Sequence, residues 1–300
     1  MIDSPESDFP HAISGADGRN RIPCKLLQNG HERSALAKRA ALCQSAGMSV
    51  RIGIIGATGR MGRAIAGEAV AQGVGIAGGI NRAGAVLGEH ADALSLAQAA
   101  DVLIDFSTPQ MLAQGLDAAR ATRTPIVVGT TGLKPEDHAL IDAAARDVAV
   151  LQTANTSLGL NVLRKLVEQA ARVLGPDWDI DIVEMHHRHK LDTPSGSALL
   201  LGASANVGRG AASTTELNRF DRMQDGPHER EEGGIYYASL RGGSVAGDHQ
   251  VIFATDGERI ELGHRAENRT IFAKGALRAA LWLAGKPAGR YTMADVLGFE

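Results

Sequence analysis

Apolar residues in the first half of the chain fall into short runs separated by segments with helical spacing. Runs typical of buried strands lie at residues 50–55, 74–80, 102–106, 126–128 and 148–152. Helical spacing occurs between several of these runs, at residues 60–72, 110–121 and 136–146. Parallel strands require such crossover helices, which cover both faces of the sheet. The pattern therefore predicts an α/β domain built on a Rossmann-like parallel sheet.

The pattern changes after Asn155. A helical segment at 160–174 leads to a predicted strand at 180–185, and further strand-like runs without helices between them follow at 235–240, 250–255 and 259–264. The last two runs are joined by Asp256-Gly257, which is typical of a two-residue hairpin. Consecutive strands predict a second, α+β domain with an open mixed sheet that is largely antiparallel.

These patterns divide the chain into three parts. Residues 1–47 are polar and interrupted by glycine and proline, so we predict a disordered extension. Residues 48–157 form the first predicted domain, and residues 158–267 form the second. An amphipathic helix at 270–284 is expected to pack back on the first domain, and residues 268–300 are assigned to it for that reason.

Composition excludes several classes of protein. Hydrophobic residues make up 44% of the 300 positions and the formal net charge is −3, which predicts a globular protein with no general attraction for nucleic acid. No apolar run is long enough for a membrane span. The only cysteines are Cys24 and Cys43, so neither domain has a disulfide framework and a cytoplasmic location is favoured. Met48 directly precedes the first predicted strand and is an alternative start of translation.

A glycine-rich loop lies between the first predicted strand and the first predicted helix. It reads Gly56, Ala57, Thr58, Gly59, Arg60, Met61 and Gly62. Glycines permit the tight turn and the close backbone approach that a dinucleotide pyrophosphate needs at a helix N-terminus. The spacing differs from G-x-G-x-x-G, and a glycine turn without a ligand is the alternative interpretation. The surrounding strand–helix–strand pattern favours a nicotinamide dinucleotide.

The position after the second predicted strand bears on the choice between NADH and NADPH, because a carboxylate there binds the ribose hydroxyls and repels a 2′-phosphate. Asn81 and Arg82 follow that strand. The neutral amide removes the repulsion, while Arg82 can pair with the phosphate and Arg60 can stack near the adenine. We therefore predict use of NADPH as well as NADH. A solvated loop arginine is the alternative interpretation of Arg82.

Two further segments follow predicted strands at the sheet edge where such folds bind ligands. They are Gly129, Thr130, Thr131 and Gly132 after the fourth strand, and Thr153, Ala154, Asn155 and Thr156 after the next. Their backbone groups and hydroxyls can hold the nicotinamide and its ribose. Turn chemistry alone is the alternative.

A basic segment follows the predicted strand at 180–185. It contains His186, His187, Arg188, His189 and Lys190. Imidazoles exchange protons near neutral pH, and the lysine adds a cation. Residues 194–197 then open a helix, whose free backbone N–H groups favour an anion. Proton donors beside an anion cradle predict proton-coupled chemistry on an acidic small molecule.

Two other interpretations of the basic segment are a metal site and an inert, solvated loop. A zinc site would combine His186 with His187 or His189 and a carboxylate of Glu184 or Asp192. Adjacent histidines on a strand point to opposite faces, and neither H-E-x-x-H nor paired cysteines occur. We therefore predict no metal.

Five motifs within residues 49–300 together resemble the 4-hydroxy-tetrahydrodipicolinate reductase family, long called dihydrodipicolinate reductases, of the diaminopimelate route to lysine in bacteria and plants. These motifs are the glycine loop at 56–62, Asp105-Phe106-Ser107, Gly129-Thr130-Thr131-Gly132, Asn155-x-Ser157-x-Gly159, and Glu184-x-His186-His187-x-x-Lys190-x-Asp192-x-Pro194-Ser195-Gly196. The last string is the most specific, whereas the glycine loop alone is not diagnostic.

The resemblance implies an NAD(P)H-dependent oxidoreductase whose second domain binds a cyclic imine dicarboxylate and builds a homotetramer through its sheet. By the same resemblance, His186 is the proton donor and acceptor, and Lys190 is a proton donor. Substrate is bound by His187, Ser195, Gly196 and Ser197. The resemblance also implies the chemistry, in which water leaves the 4-hydroxy substrate, hydride adds to the conjugated imine, and a proton completes tetrahydrodipicolinate.

Three positions depart from the family pattern. Ser197 stands where threonine is usual, Thr156 where a larger apolar residue is usual, and Asn81 where an acidic residue is common. The competing functions are another two-domain dehydrogenase, a non-enzymatic NADPH-sensing regulator and, remotely, a metal-dependent hydrolase. A semialdehyde dehydrogenase needs a catalytic cysteine, which residues 48–300 lack. A regulator has no reason to keep Lys190 beside the anion cradle.

Overall fold

The computed structural model describes residues 50–220 and 229–299. The predicted disordered extension at 1–47 and the alternative start at Met48 lie outside these residues. A first sheet contains the strands β1 Arg51–Ile55, β2 Gly75–Asn81, β3 Gly84–Leu87, β4 Val102–Asp105, β5 Ile126–Val128, β6 Ala149–Gln152 and β12 Gly289–Tyr291. Their order is β12-β6-β5-β4-β1-β2-β3, and neighbouring strands are parallel except for the antiparallel pair of β2 and β3. The predicted Rossmann-like parallel sheet is confirmed.

Helices cover this sheet on both faces. They are α1 Arg60–Ala71, α2 Ala93–Ala99, α3 Pro109–Thr122, α4 Pro135–Ala145, α7 Thr270–Leu283 and α8 Met293–Leu297. Because both faces are covered, the central strands are apolar throughout most of their length; all four residues of β4, for example, are buried. Proline occupies the first turn of α3 and of α4, where its missing N–H costs no helical hydrogen bond.

Helix α7 packs on the first sheet, as the sequence predicts. It contributes Ala276, Leu277 and Leu283 to the same buried cluster as Ile52 and Ile54 of β1. Contact is close enough that a Cβ atom at Gly275 would lie 1.7 Å from the carbonyl oxygen of Thr156. The C-terminal part of the chain therefore supports the strand ends of the first sheet.

A second sheet contains the strands β7 Asp179–His186, β8 Asn218–Arg219, β9 Ile235–Arg241, β10 Gly247–Thr255 and β11 Glu258–Ala266. Its order is β11-β10-β7-β9-β8. The first three strands are antiparallel, whereas β9 is parallel to both β7 and β8. The prediction of a mixed sheet is confirmed. The long pairs of β10 with β11 and with β7 are antiparallel as expected, whereas the parallel pairing of β9 was not predicted. A helix lies between β7 and β9, and this long crossover allows them to run parallel.

Helices α5 Leu158–Leu174 and α6 Gly196–Gly208 pack on one face of the second sheet. The buried side chains of β10 alternate with partly exposed ones, so that Val251 and Phe253 face the helices and Gln250 and Ile252 face away. A hollow of about 420 Å³ lies on this other face and includes Gln250 among its lining residues. None of the described helices is long and apolar enough to cross a membrane.

Candidate active site

The glycine loop joins β1 to α1 and passes very close to neighbouring backbone. Gly56 has a φ of +86°, and a Cβ atom there would lie 2.7 Å from the carbonyl oxygen of Phe106. A Cβ atom at Gly62 would lie 2.3 Å from the carbonyl oxygen of Gly56. Gly59 caps α1 without a side-chain hydrogen bond, which leaves the start of the helix open to an anion. These features fit a dinucleotide pyrophosphate.

Asn81 ends β2 beside this loop. Its side-chain amide donates a hydrogen bond to the hydroxyl of Thr58 at 3.4 Å, and its carbonyl oxygen accepts one from the backbone N–H of Ala83 at 2.7 Å. Arg82 and Arg60 are both exposed. The loop edge thus carries a fixed neutral amide and two solvent-facing guanidinium groups, a combination that fits a phosphorylated ribose.

A buried carboxyl group lies at the carboxyl end of β4. Oδ1 of Asp105 accepts hydrogen bonds from the backbone N–H of Ser107 at 2.8 Å, the hydroxyl of Ser107 at 2.5 Å and the hydroxyl of Thr130 at 3.1 Å. Burial raises the pKa of Asp105, and these hydrogen bonds oppose the shift. The hydroxyl of Thr130 is therefore engaged inside the protein, whereas Thr131 is exposed. A Cβ atom at Gly129 would lie 2.2 Å from the ring of Phe106.

Residues 153–156 follow β6 and face both domains. The hydroxyl of Thr153 donates to the carbonyl oxygen of Asn155 at 2.8 Å, and that of Thr156 donates to the carbonyl oxygen of Phe272 at 2.7 Å. Ala154 lies exposed between them. The side-chain amide of Asn155 donates to the hydroxyl of Ser197 at 3.0 Å. This segment therefore links the edge of the first sheet to the start of α6.

The basic segment connects the end of β7 to the start of α6, as predicted. Ser195 is the N-cap of α6, and its hydroxyl accepts a hydrogen bond from the backbone N–H of Ala198 at 3.1 Å. Ser195 is buried, Ser197 is half-buried and Gly196 is exposed. The helix start is thus accessible at the two residues that follow the cap.

His186 is buried at the end of β7 and contacts two polar side chains. Its Nδ1 lies 2.6 Å from Oε2 of Glu184, which has the same orientation two residues earlier on the strand. Its ring meets that of His249 edge to face, with centroids 5.0 Å apart. Burial lowers the pKa of His249 to about 4, and the neighbouring His186 adds to the effect, so His249 is neutral at physiological pH.

Lys190 and His187 differ in charge. The ammonium group of Lys190 bonds both carboxylate oxygens of Asp192 at 2.7 Å, which lowers the pKa of that carboxyl. Desolvation lowers the pKa of His187, and the charge of Arg269 contributes in the same direction. The segment therefore presents a paired lysine cation beside a neutral imidazole.

A small cavity of about 30 Å³ lies between the two halves of the molecule. Side chains from both halves line it, including Asn155, His186, Ser197, His249, His264 and Phe272. The structure thus brings together His186, Ser197 and Asn155, which the sequence predicts as separate site residues. Lys190 and His187 are not among the lining residues. Within the described residues, no group of three or more His, Cys, Asp or Glu side chains is arranged to hold a metal ion.

Comparison with known families agrees with this geometry. A family profile described as "Dihydrodipicolinate reductase, N-terminus" matches residues 50–156, and one described as "Dihydrodipicolinate reductase, C-terminus" matches residues 159–297. The chain belongs to the dihydrodipicolinate reductase family. Its resemblance to that family, inferred above from five motifs, is thereby confirmed.

Relatives within the dihydrodipicolinate reductase family cover most of the chain. The 4-hydroxy-tetrahydrodipicolinate reductase of Zymomonas mobilis is 58% identical over 252 residues, covering 83% of this chain and 98% of its own. That of Parvibaculum lavamentivorans is 47% identical, covering 84% and 98%. A dipicolinate-bound dihydrodipicolinate reductase from Paenisporosarcina sp. TG-14 has the same fold, with a TM-score of 0.65 at 21% identity and coverage of 82% and 98%.

Three residues next to His186 could not be assigned to the site from the sequence: Glu184, Arg241 and His249. Glu184 could be assigned from the residues alone only as a candidate metal ligand, although its i, i+2 spacing from His186 on a strand signals a pair on one face. Arg241, which pairs with Glu184, and His249, which packs on His186, lie on other strands. No local pattern could have assigned them to the site, since only the sheet pairing brings them to β7.

Proposed function

We propose that the protein is an enzyme that reduces 4-hydroxy-tetrahydrodipicolinate to tetrahydrodipicolinate with NADPH or NADH, with loss of water, in the diaminopimelate route to lysine. The observation that carries the proposal is the buried pair of Glu184 and His186. This pair lies beside the start of α6, and His186 lines a cavity together with Asn155. The names of its relatives support the same reaction.

The first sheet and its loops hold the nicotinamide dinucleotide, which supplies the hydride when it is bound. Residues 56–62 receive the pyrophosphate at the open start of α1, where side chains on the glycines would collide with backbone. Asn81 and Arg82 bind the adenosine ribose and its 2′-phosphate. The segments 129–132 and 153–156 hold the nicotinamide end, mainly through backbone groups, because the hydroxyls of Thr130 and Thr156 are engaged internally.

The start of α6 binds one carboxylate of the substrate. Gly196 and Ser197 lie in the first turn of α6, where backbone N–H groups have no acceptor within the helix, and the helix dipole favours negative charge there. The neutral imidazole of His187 donates a further hydrogen bond to the substrate. These contacts orient the substrate ring so that its conjugated imine faces residues 153–156, the segment assigned to the nicotinamide.

His186 and Lys190 handle the protons. Loss of the 4-hydroxyl as water requires a proton on the leaving oxygen, and hydride addition then builds negative charge on the enamine part of the ring. Lys190 stabilises that charge and donates a proton, and His186 acts as proton donor and acceptor. Each turnover consumes one hydride and one proton from solvent and releases one water. The ring proton lost on dehydration is matched by the proton gained after hydride addition, so both side chains return to their starting protonation states.

Domain roles and assembly follow from the same proposal. Residues 48–157 and 268–300 bind the dinucleotide, and residues 158–267 bind the substrate. The face of the second sheet that α5 and α6 leave open is the surface through which the chain forms a homotetramer in the cytoplasm. Partly exposed strand residues such as Gln250 and Ile252, and the hollow on that face, support this assignment.

The proposal is tested by steady-state kinetics of His186→Gln and Lys190→Ala. Substrate is generated in the cuvette by the synthase that condenses pyruvate with aspartate semialdehyde, and oxidation of the cofactor is followed by absorbance. Each variant is expected to lose roughly 100-fold or more in kcat, the usual effect of removing a positioned acid or base. A change confined to KM would contradict the assigned roles.

A further inference from the structure

The carboxylate of Glu184 is buried and hydrogen-bonded through both oxygens. Oε1 accepts from the guanidinium of Arg241 at 2.8 Å and from the backbone N–H of Ser195 at 3.2 Å. Oε2 accepts from the same guanidinium at 2.9 Å and meets Nδ1 of His186 at 2.6 Å. Its exposed fraction is 1%. A buried carboxylate held by several donors is a rigid acceptor.

Glu184 is ionised in this network. Burial by itself would raise the pKa of the carboxyl, but hydrogen bonds from Arg241, Ser239 and His186 outweigh it and lower the pKa. An ionised carboxylate accepts hydrogen bonds and donates none. Nδ1 of His186 must therefore carry the proton that it shares with Oε2, and the ring can exchange a proton only at Nε2.

Nε2 of His186 is directed at a glycine on the neighbouring strand. A Cβ atom at Gly247 would lie 2.9 Å from Nε2, so any other residue there would crowd the nitrogen that exchanges the proton. Gly247 and His186 both line the small cavity that Asn155 and Ser197 also border. With Nδ1 held by Glu184, Nε2 is the ring nitrogen that lies beside Gly247, a residue of the cavity wall.

We propose that Glu184, held in place by Arg241, is a positioning residue that fixes the tautomer and direction of His186 and at the same time the position of the anion cradle. Its two oxygens have separate roles, since Oε2 holds the imidazole and Oε1 holds the backbone of Ser195, the N-cap of α6. Arg241 extends the link, because its guanidinium also donates to the carbonyl oxygen of Asp192 at 2.6 Å.

One carboxylate therefore sets the distance between the proton donor and the bound carboxylate of the substrate. Geometry of this kind affects turnover more than affinity, because an error in the alignment of the reacting atoms affects the transition state most. Glu184 itself is not among the residues that line the small cavity. The inference rests on the proposed function, in which His186 transfers the proton.

The first test is a variant series measured with the coupled assay. Glu184→Gln keeps the size of the side chain but can offer His186 an N–H instead of an acceptor, and kcat is expected to fall by about 10- to 100-fold with a smaller change in KM. Because Glu184→Gln leaves the Arg241 cation without its partner, the double variant Glu184→Gln/Arg241→Gln is made as well; it removes both charges together. Both are expected to lose kcat to a similar extent.

Glu168→Gln is the matched control. Glu168 also pairs with two cations, Lys165 and Arg172, but it lies on α5 and is not among the residues that line the cavity. Its kcat is expected to equal that of the wild type.

The second test reads the hydrogen bond itself, starting from the wild-type protein. With 15N-labelled histidine, the wild type is expected to show one strongly deshielded proton bound to Nδ1 of a histidine. This signal should be missing from His186→Gln and from both Glu184 variants, and present in Glu168→Gln. A wild-type protein that shows the proton on Nε2 of His186 instead would overturn the proposal.

The outcomes separate this inference from the function on which it rests. If His186→Gln keeps full kcat, the proposed role of His186 fails. If His186→Gln loses kcat while folded Glu184→Gln and the double variant keep it, the function stands and the positioning role of Glu184 is wrong.

Discussion

The side-chain amide of Asn155 donates a hydrogen bond of 3.0 Å to the hydroxyl of Ser197. Asn155 follows β6 of the first sheet, and Ser197 lies in the first turn of α6, which covers the second sheet. This bond joins residues 153–156, which are assigned to the nicotinamide, to the start of α6, which is assigned to a substrate carboxylate. Side chains from the two halves of the molecule thus meet at one cavity.

Ser197→Ala is expected to weaken substrate binding. The substitution removes the acceptor of the Asn155 bond and loosens the edge of the cradle, while the backbone N–H groups of α6 remain. We expect KM for the substrate to rise about threefold to tenfold, the value of one ordinary hydrogen bond, with kcat changed less. Ser213→Ala, at an exposed position, is the control. A loss of kcat at constant KM would show that Ser197 acts in the chemical step.

Arg82 and Asn81 are expected to set the cofactor preference. Arg82→Ala should reduce the preference for NADPH by roughly tenfold or more, since it removes a charge-assisted hydrogen bond to the 2′-phosphate, and should leave the kinetics with NADH almost unchanged. Asn81→Asp should shift the preference towards NADH. Equal losses with both cofactors in Arg82→Ala would contradict this assignment.

Asp105 is expected to destabilise the fold as the pH rises. Burial raises the pKa of this carboxyl above its ordinary value of 3.8, so the unfolded state ionises at a lower pH than the folded state. Below pH 3.8 the carboxyl is protonated in both states. Above pH 3.8 the unfolded state gives up this proton more readily than the folded state, so the free energy of unfolding falls as the pH rises. The free energy of unfolding of Asp105→Asn, relative to that of the wild type, should therefore increase between pH 4 and pH 8. The free energies are measured by urea titration at several pH values. A constant difference between variant and wild type across this range would contradict the prediction.

His249 is expected to act in the opposite direction. Burial lowers its pKa from 6.5 to about 4, so in this range the unfolded state binds a proton that the folded state does not. Stability is fully present above pH 6.5 and is lost as the pH falls towards 4, by an amount on the order of 3 kcal/mol at most. His249→Gln should show a weaker loss over this range. An equal acid sensitivity in variant and wild type would place the effect elsewhere.

Long periodic elements could be predicted from the sequence, and short ones could not. The strand–glycine–helix unit at 51–71, the Asp256-Gly257 hairpin and α7 were predicted because each has a strong local signal. The short strands β3 and β12 and the short helices α2 and α8 were missed. Such short segments carry too little periodicity, and their stability comes from packing on the sheet.

The site divides in the same way. His186, Lys190 and the cap at Ser195 belong to one contiguous segment, which is why the sequence alone could propose them as site residues. The bond from Thr130 to Asp105 and the ion pair of Arg241 with Glu184 join residues 25 and 57 positions apart. Such pairs depend on which strands become neighbours, and the parallel placement of β9 beside β7 was itself not predicted.

Transfer of hydride from the cofactor to the product is the most direct measure of the central claim. The synthase would generate the substrate from pyruvate and aspartate semialdehyde in the presence of this protein and NADPH carrying deuterium at the transferred C4 position. We predict stoichiometric oxidation of the cofactor and tetrahydrodipicolinate that carries a single deuterium atom by mass spectrometry. Absence of cofactor oxidation with both NADPH and NADH, while the synthase continues to run, would contradict the account.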